Sequence, residues 1–487
     1  MVTYLNRVFS VTLPDTKTVD HLNVTWAEEF AKSAKGPVKG SFLGVQDDPV
    51  LKAWVEAFES MGHPLTASPF SGNSTGPYNA PSSVNPATKT RSYSGNSYYA
   101  PVADRSNLVV FTKAVATRIL LSGPEHVATG VEFIQDSTTK TVKAKNEIIL
   151  SAGVFNSPKL LELSGIGDPD VLSAAGVDLK VSSPYVGTNL QDHILSGISF
   201  EVQDGIPTKD DLMRKDPEAV KQAGTQYQEH KTGPLASTGV TAFGYLPIVD
   251  FVSDTQARDA FFQSLSKVEE DHPLDKARID QLRNLVQDGQ EGTGQFFVYS
   301  VQAGPAGIDR TSGNIPDPLP ENYITLVSAL SHPLSTGTVH ITSSDVSTPP
   351  TLDHRYLSSP IDLELHARNI RYLENIAAAA PFATILKPNG RRNDPRSKFE
   401  GEDSLQKAKE YVKLASSTNY HSVGTCAMAP QDKGGVVDHN LRVYGVKGLR
   451  VVDASVFPLV PQSNTQSLVY VVAERASELI AQSWSEA

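Results

Sequence analysis

The stretch NYHSVGTCAM, from Asn419 to Met428, contains the side chain best suited to chemistry, that of His421. An imidazole with a pKa of about 6.5 is largely neutral at pH 7, so it can take a proton from a reacting hydroxyl group. Small and apolar residues surround this histidine, and a buried histidine of purely structural value is the competing interpretation. The choice between the two depends on the rest of the chain.

Other motifs for chemistry are weak or absent in the 487 residues. The pattern GNSTG, from Gly72 to Gly76, fits the G-x-S-x-G of serine hydrolases, but Ser74 lies in a proline-flanked loop and not on a strand-to-helix turn. No G-x-G-x-x-G dinucleotide motif occurs. A zinc site is not expected, because no histidines and acids have metalloprotease spacing. The single cysteine, Cys426, excludes an internal disulfide and is interpreted as a small core residue.

A strand followed directly by a helix is predicted in the first half of the chain. EIILSAG, from Glu147 to Gly153, is apolar nearly throughout, as expected for a strand that is covered on both faces. The helix NSPKLLEL follows, with Asn156 or Ser157 as its cap and Pro158 in its first turn. Such a unit places ligands at the carboxyl end of its strand.

A second unit of this kind is predicted near the end of the chain. LRVVDAS, from Leu449 to Ser455, has the composition of a buried strand. The last helix follows, and Asn464 or Thr465 is expected to cap it.

The remaining elements indicate at least two lobes, because the chain is too long for one hydrophobic core. A helix is predicted over 48–61, a loop over 64–101, and a three-stranded meander from Asn107 onwards. The middle, from about 195 to 410, mixes charged helices with strand-like runs and indicates a lobe with its own sheet. Its clearest segments are a helix at 275–288 and strands within 294–304, 323–330 and 336–343.

Composition narrows the classes of function. The chain has 54 acidic and 43 basic residues and a net charge of −11, with no basic cluster, so a nucleic-acid partner is not expected. No apolar run is long enough to span a membrane. Acceptor patterns for N-glycosylation at Asn23 and Asn73 are typical of secreted proteins, but the N-terminus has no signal-peptide pattern, so localisation stays open.

Four segments carry distinctive motifs: GVFNSPKLLELSGIG (153–167), YVGTNLQDH (185–193), YHSVGTCAM (420–428) and GLRVVDASVFPLVPQSNTQS (448–467). In this order they resemble signatures of the glucose-methanol-choline (GMC) family of flavin oxidoreductases. The segment 333–363 is also similar, although the family usually has arginine where Thr336 stands. The resemblance spans about 36–480.

The resemblance implies an α/β fold with two lobes. The first would be an FAD-binding lobe, 1–195, completed by 421–487, and the second a substrate lobe, 196–420, with a largely antiparallel sheet. It also implies FAD as the cofactor and a small-molecule alcohol as the substrate, oxidised to a carbonyl by hydride transfer to the flavin. The similarity is greatest to fungal members that act on aryl alcohols or in secondary metabolism.

The resemblance also assigns two catalytic residues. His421 would be the base that takes the hydroxyl proton of the alcohol. Asn464 would be its partner, and since an amide is not a base, its role would be to hydrogen-bond and orient the substrate oxygen. Asn189 and His193 belong to a signature but are interpreted as structural.

Five further residues are expected at the FAD. The resemblance implies that the backbone of Val115 contacts the adenine, and that Asp453 and Ala454 lie near the ribityl and pyrophosphate chain. The backbone N–H groups of Thr465 and Gln466 would face the flavin ring. The positive end of their helix would stabilise negative charge there.

One departure from the family bears on function. Family members open with a strand, a glycine-rich turn and a helix that hold the FAD pyrophosphate, and we expect this chain to lack that unit. An inactive remnant that binds no flavin is therefore the main alternative to an enzyme. A protein that binds a small molecule without redox chemistry is the third interpretation.

Overall fold

Strands and helices together form the framework of the computed structural model, which describes residues 2–42, 48–237, 239–249, 255–288, 291–304 and 317–485. The described strands, in chain order, are β1 (Phe9–Thr12), β2 (Val38–Ser41), β3 (Gly76–Asn79), β4 (Ala114–Ser122), β5 (Val127–Gln135), β6 (Thr138–Lys143), β7 (Ile148–Leu150), β8 (Ile166–Gly167), β9 (Val181–Ser182), β10 (Ile194–Glu201), β11 (Ala242–Leu246), β12 (Gly294–Tyr299), β13 (Tyr323–Leu330), β14 (Thr338–His340), β15 (Thr351–Asp353), β16 (Ser417–Thr418) and β17 (Leu449–Val451).

Helices cover the strands, and two of them confirm predictions closely. The described helices are α1 (Val2–Val8), α2 (Thr16–Leu22), α3 (Ala27–Ser33), α4 (Pro49–Ser60), α5 (Gly153–Leu163), α6 (Pro169–Ala174), α7 (Asp210–Met213), α8 (Pro217–Thr225), α9 (Thr255–Leu265), α10 (Asp275–Asp288), α11 (Pro360–Ala378), α12 (Ala380–Ala383), α13 (Ser404–Ala415) and α14 (Gln466–Ser485). Helix α10 has the predicted bounds. Helix α4 begins after Asp48, whose carboxylate accepts a hydrogen bond from the backbone N–H of Val50 at 2.9 Å.

The largest sheet has six strands in the order β16–β10–β13–β12–β11–β3, and every neighbouring pair is antiparallel. Its central strands are the apolar runs predicted for the middle of the chain. β13 is buried along its whole length, since helices cover one side and other chain segments cover the opposite side. The predicted α/β class with a largely antiparallel sheet is confirmed.

Helix α4 packs on this large sheet. Trp54 and Phe58 of α4 have no exposed surface, and the ring of Phe58 lies 6.4 Å from that of Phe296 on β12. The indole N–H of Trp54 donates to the carbonyl of Phe243 on β11 at 2.9 Å. The lobe boundary expected at residue 195 stays a prediction, but this packing joins the segment around α4 to the core of the second lobe.

A second core surrounds the parallel pair β7–β17, which is flanked by the three-stranded antiparallel sheet β4–β5–β6. The predicted meander is therefore present. Its first strand begins at Ala114 and not at Asn107, because Ala114 already pairs with Gln135, the last residue of β5. Residues before Ala114 have no strand opposite them in the described part of this sheet, and Val109 is 71% exposed.

The interpretation of β7 as a strand covered on both faces is wrong. Leu150 is buried, but Ile149 is 38% exposed. The side chains of Ile149 and Leu150 point to opposite faces of the strand, so the face that carries Ile149 is not covered.

Helix α5 begins at Gly153, three or four residues before the predicted cap, Asn156 or Ser157, and so Pro158 lies inside it. A proline removes the hydrogen bond to the carbonyl four residues earlier, here that of Val154. The hydroxyl of Thr425 donates to that carbonyl at 2.6 Å and replaces the lost bond. A contact from distant sequence therefore permits the longer helix.

The loop predicted over 64–101 contains one strand, β3, which forms an edge of the large sheet through the pair Asn79 and Ala242. Ser74 lies between a 3-10 turn and this strand, so the strand-to-helix turn of a serine hydrolase is not formed around it. No helix among the described residues is long and apolar enough to cross a membrane.

Candidate active site

His421 lies where two distant motif segments pair. The backbone N–H of Gln191 donates to the carbonyl of Val423 at 3.0 Å, and the N–H of Val423 donates back at 2.9 Å. The N–H of Asn419 donates to the carbonyl of His193 at 2.8 Å. The signature YVGTNLQDH and the signature around His421 therefore form one unit.

The buried carboxylate of Asp192 anchors this unit. Its Oδ1 accepts the backbone N–H of His421 at 3.0 Å. Its Oδ2 accepts the hydroxyl groups of Tyr356, Thr418 and Ser422 at 2.7, 2.5 and 3.0 Å. Burial lowers the pKa of His421, and the charge of Asp192 opposes that effect. His421 is therefore held near a single carboxylate and is neutral at pH 7.

His193 contacts the ring of His421 directly. The two Nδ1 atoms are 3.0 Å apart and the ring planes are perpendicular, at 89°. His193 is completely buried, and burial, followed by the proximity of His421 and His332, lowers its pKa to about 3. The structural interpretation of His193 from sequence missed this contact. His193 ends the motif Gln191-Asp192-His193, and the motif alone does not indicate the contact with His421, which is 228 residues away.

Gln295 on β12 contacts the second candidate catalytic residue. Its amide nitrogen donates to Oδ1 of Asn464 at 2.8 Å and to the hydroxyl of Tyr245 at 2.8 Å. Its Oε1 accepts from the side chain of Asn419 at 3.5 Å, two residues before His421. Gln295 was not identified from sequence, and it joins Asn464 to the segment that carries His421.

The residues assigned to the cofactor chain lie at the carboxyl end of β17. The carboxylate of Asp453 accepts the N–H of Gly153 at 2.9 Å and the hydroxyl of Ser157 at 2.5 Å, so it caps α5. It also accepts the N–H of Ser455 at 2.8 Å. The carbonyl of Ala454, next in the chain, accepts the N–H of Gly424, which brings the strand end beside the His421 segment.

Thr465 and Gln466 lie at the start of α14. The carbonyl of Thr465 accepts the N–H of Val469 at 3.0 Å, so Thr465 is the residue that precedes the first turn, in agreement with one of the two predicted caps. Gln466 is exposed, and its Oε1 accepts from the hydroxyl of Ser83 at 3.0 Å. A helix start has backbone N–H groups without intrahelical partners, which favour negative charge.

Val115 lies apart from these contacts. It is 53% exposed on β4, opposite Ile134. The neighbouring face of β4 borders an apolar cavity of about 370 Å³, lined by Ala116, Ile119 and residues of β7. Among the described residues Val115 makes no hydrogen bond or ring contact with His421 or Asn464, and its assigned role stays a prediction.

The residues present fit a flavin nucleotide. Gly153 follows β7 with a φ of +84° and open space where a Cβ would lie, so its backbone is accessible. Ile149 and Phe155 nearby are 38% and 36% exposed and offer apolar surface. The start of α14 offers backbone donors of the kind that bind a pyrophosphate, and the residues after β7 offer apolar surface for a planar ring.

Cys426 is a core residue, as predicted. It is completely buried, and burial raises the pKa of its thiol well above the ordinary value. The glycosylation acceptor Asn23 is exposed, whereas Asn73 is half-buried and its side chain accepts the N–H of Thr75 at 3.3 Å. Glycosylation stays a prediction at both positions.

Comparisons with known proteins agree on one family. Two family models described as GMC oxidoreductase match residues 16–195 and 333–473. Dehydrogenase mpl7 of Monascus purpureus is 34% identical over 468 residues, which are 91% of this chain and 72% of that protein. Versicolorin B synthase of Aspergillus parasiticus is 30% identical over 435 residues, 88% of this chain and 61% of that protein. The structure of a fungal aryl-alcohol oxidase matches this one with a TM-score of 0.82 at 27% sequence identity. The match includes 99% of this chain and 79% of the oxidase chain.

Proposed function

The chain belongs to the GMC oxidoreductase family, and on that basis we propose that it oxidises the hydroxyl group of a small alcohol to a carbonyl with FAD as its cofactor. One observation carries the proposal. Gln295 contacts both the amide of Asn464 and the side chain of Asn419, two residues before His421, so one side chain joins the amide to the segment that carries the imidazole. An alcohol needs such a pair: a proton acceptor and a group that orients its oxygen.

Two side chains would act on the hydroxyl group of the alcohol. His421 takes the hydroxyl proton, and its lowered pKa keeps it in the proton-accepting form at neutral pH. Asn464 donates a hydrogen bond from its amide nitrogen to the alcohol oxygen, because its own oxygen is already engaged by Gln295. FAD, when bound, would supply the acceptor for the hydride that leaves the carbinol carbon.

The same surface that fits a flavin nucleotide supports FAD as the cofactor. Backbone donors at Thr465 and Gln466 would face the ring, and the strand end at Asp453 and Ala454 would border the ribityl chain. The carboxylate of Asp453 already accepts three hydrogen bonds, so we propose that it positions the backbone around Gly153. The proposal includes a flavin lobe, 1–195 with 421–487, and a substrate lobe, 196–420.

The names of two relatives support the substrate class. One is an aryl-alcohol oxidase, and the other is a synthase named for versicolorin B. We propose an alcohol of fungal secondary metabolism as the substrate, and an aryl alcohol is the first to test.

FAD binding needs the most direct test, because the sequence lacks a G-x-G-x-x-G motif.

The test has two stages on the 487-residue chain. FAD is first titrated into the purified protein and followed by visible absorbance and flavin fluorescence. Flavin reduction by a panel of aryl and aliphatic primary alcohols is then measured without oxygen for the wild type, for His421→Asn, and for His439→Asn, the same change at an exposed histidine.

We expect bound FAD, its reduction by at least one alcohol, and a loss of on the order of 10²–10⁴-fold in His421→Asn only, as for a removed general base. A colourless protein that does not respond to added FAD would favour the inactive remnant. Equal reduction rates in His421→Asn and wild type would remove His421 from the role of base.

A further inference from the structure

We propose that His193 is a positioning residue that holds His421 in one tautomer, with the proton on Nδ1 and the lone pair on Nε2. The inference rests on the proposed function, because it explains how Nε2 of His421 is kept ready to accept the substrate proton. It follows from two hydrogen bonds and the charge of His193, taken in sequence.

The first step is at the far side of His193. Its Nε2 lies 3.1 Å from the carbonyl oxygen of Ser331. A carbonyl oxygen only accepts hydrogen bonds, so this Nε2 has to carry a proton and donate it.

The second step is the charge of His193. The ring has no exposed surface, and burial lowers its pKa to about 3, so it is neutral at pH 7. A neutral imidazole has one N–H group. Since Nε2 holds that proton, Nδ1 of His193 is a bare acceptor.

The third step transfers this constraint to His421. The two Nδ1 atoms are 3.0 Å apart, which is a hydrogen-bond distance, and the acceptor in it is His193. Nδ1 of His421 therefore carries the proton and donates it. In neutral His421 the other nitrogen, Nε2, is then bare, and it has no hydrogen-bond partner among the described residues.

The surrounding charges keep the pair in this state. Asp192 is the carboxylate beside His421, and it holds the backbone N–H of that residue. His332 packs near His193 and is itself neutral, because burial lowers its pKa to about 4. Asp192 and His193 are consecutive in the chain, so one short segment fixes both the position of His421 and its tautomer.

A histidine with only a packing role would leave the tautomer of His421 free. The direct test is ¹⁵N NMR of protein labelled at its 12 histidines, at pH 7 and without FAD or substrate. Long-range ¹H–¹⁵N correlations distinguish a protonated ring nitrogen from a bare one. The His421 signals are assigned by their absence in His421→Asn.

In the wild type we expect His421 to show a protonated Nδ1 and a bare Nε2. A protonated Nε2 with a bare Nδ1 would overturn the proposal, and this result needs no substituted protein.

The variant His193→Leu removes the acceptor and should give a mixture of His421 tautomers. His193→Asn offers an amide oxygen in its place and should restore the wild-type pattern. His366→Leu, at another completely buried histidine that does not contact His421, should leave the pattern unchanged.

A kinetic measurement separates this proposal from the proposed function. With FAD bound, His193→Leu should lower the limiting rate of flavin reduction by on the order of 10²-fold with little change in KM, since the base and not the binding surface is affected. His193→Asn should recover most of that rate.

Two outcomes distinguish the proposals. If the tautomer of His421 is as expected but flavin in His421→Asn is reduced at the wild-type rate, His421 is not the base and its tautomer has no role in catalysis. If His421→Asn is slow but Nε2 is protonated, the function stands and the positioning role of His193 is overturned.

Discussion

The amide nitrogen of Gln295 lies 2.8 Å from the amide oxygen of Asn464. Gln295 is almost completely buried, at 1% exposed, whereas Asn464 is exposed. The bond decides which end of the Asn464 amide is available to a substrate, because an engaged oxygen leaves the NH₂ group as the free donor.

Gln295→Leu should therefore weaken the orientation of the alcohol. The substituted chain lacks the donor, so the Asn464 amide can turn over and present its oxygen to the substrate oxygen. One neutral hydrogen bond is worth about 1 kcal/mol, so we expect a loss of about 5- to 10-fold in the second-order rate constant for flavin reduction. Stopped-flow reduction over a range of alcohol concentrations measures it.

The matched control is Gln203→Leu, at an exposed glutamine after β10 whose amide donates to the carbonyls of Thr384 and Leu386. It should reduce flavin like the wild type. A Gln295→Leu protein with unchanged rate constants would show that Asn464 does not depend on Gln295.

Asp192→Asn should change the pH dependence of the reaction. The negative charge of Asp192 raises the pKa of His421, so its removal lowers that pKa. The base then stays neutral to a lower pH, and the acidic limb of the pH profile of flavin reduction should move to lower pH.

Asp345→Asn is the control, because Asp345 lies in an exposed turn with Ser347. Its profile should match that of the wild type. A move of the acidic limb to higher pH in Asp192→Asn would contradict the assigned charge effect.

Local sequence signals predicted α4, α10, the meander β4–β5–β6 and the strands β12 and β13, but not the exact start of α5. The cap residues around Asn156 and the proline at 158 are typical of a first turn, and they competed with two contacts from distant sequence. Asp453 caps the N–H of Gly153, and Thr425 satisfies the carbonyl that Pro158 leaves free. Neither contact is visible from local pattern, because its partners are about 270 to 300 residues apart.

The candidate site divides in the same way. Each motif segment is continuous in the chain, so the segments could identify His421 and Asn464 from sequence. Their partners His193 and Gln295 come from other segments, 228 and 169 residues away, and only pairing of the strands brings them close. His193 was visible in a motif without a role, whereas Gln295 lies in an ordinary strand and carried no signal.

Thr425→Val tests the explanation for the longer α5. Valine has nearly the shape of threonine but has no hydroxyl, so the part-buried carbonyl of Val154 would lose this donor. An unsatisfied carbonyl costs about 1–3 kcal/mol when it is fully buried, so we expect a loss of about 1 kcal/mol of stability here. The urea midpoint should fall accordingly, and Thr425→Ser, which keeps the hydroxyl, should lose less. Equal midpoints for the valine variant and the wild type would mean that another group satisfies Val154.

His366 on α11 provides a test of acid stability. It is completely buried, its Nε2 is 3.0 Å from the hydroxyl of Ser196, and burial lowers its pKa to about 3. In the unfolded chain its pKa is about 6.5. Between these two values the unfolded state binds a proton that the folded state does not, so the stability that His366 supports is present above pH 6.5 and falls as the pH decreases towards 3.

His366→Leu removes this proton uptake. Each pH unit in that window is worth about 1.4 kcal/mol, so the stability difference between wild type and His366→Leu should shrink by about 2 kcal/mol from pH 8 to pH 5. Urea unfolding at both pH values measures it, with His439→Leu as the control for the loss of an exposed histidine. A difference that stays constant between pH 8 and pH 5 would show that His366 takes up its proton equally well in the folded chain, and its burial would then not keep it neutral.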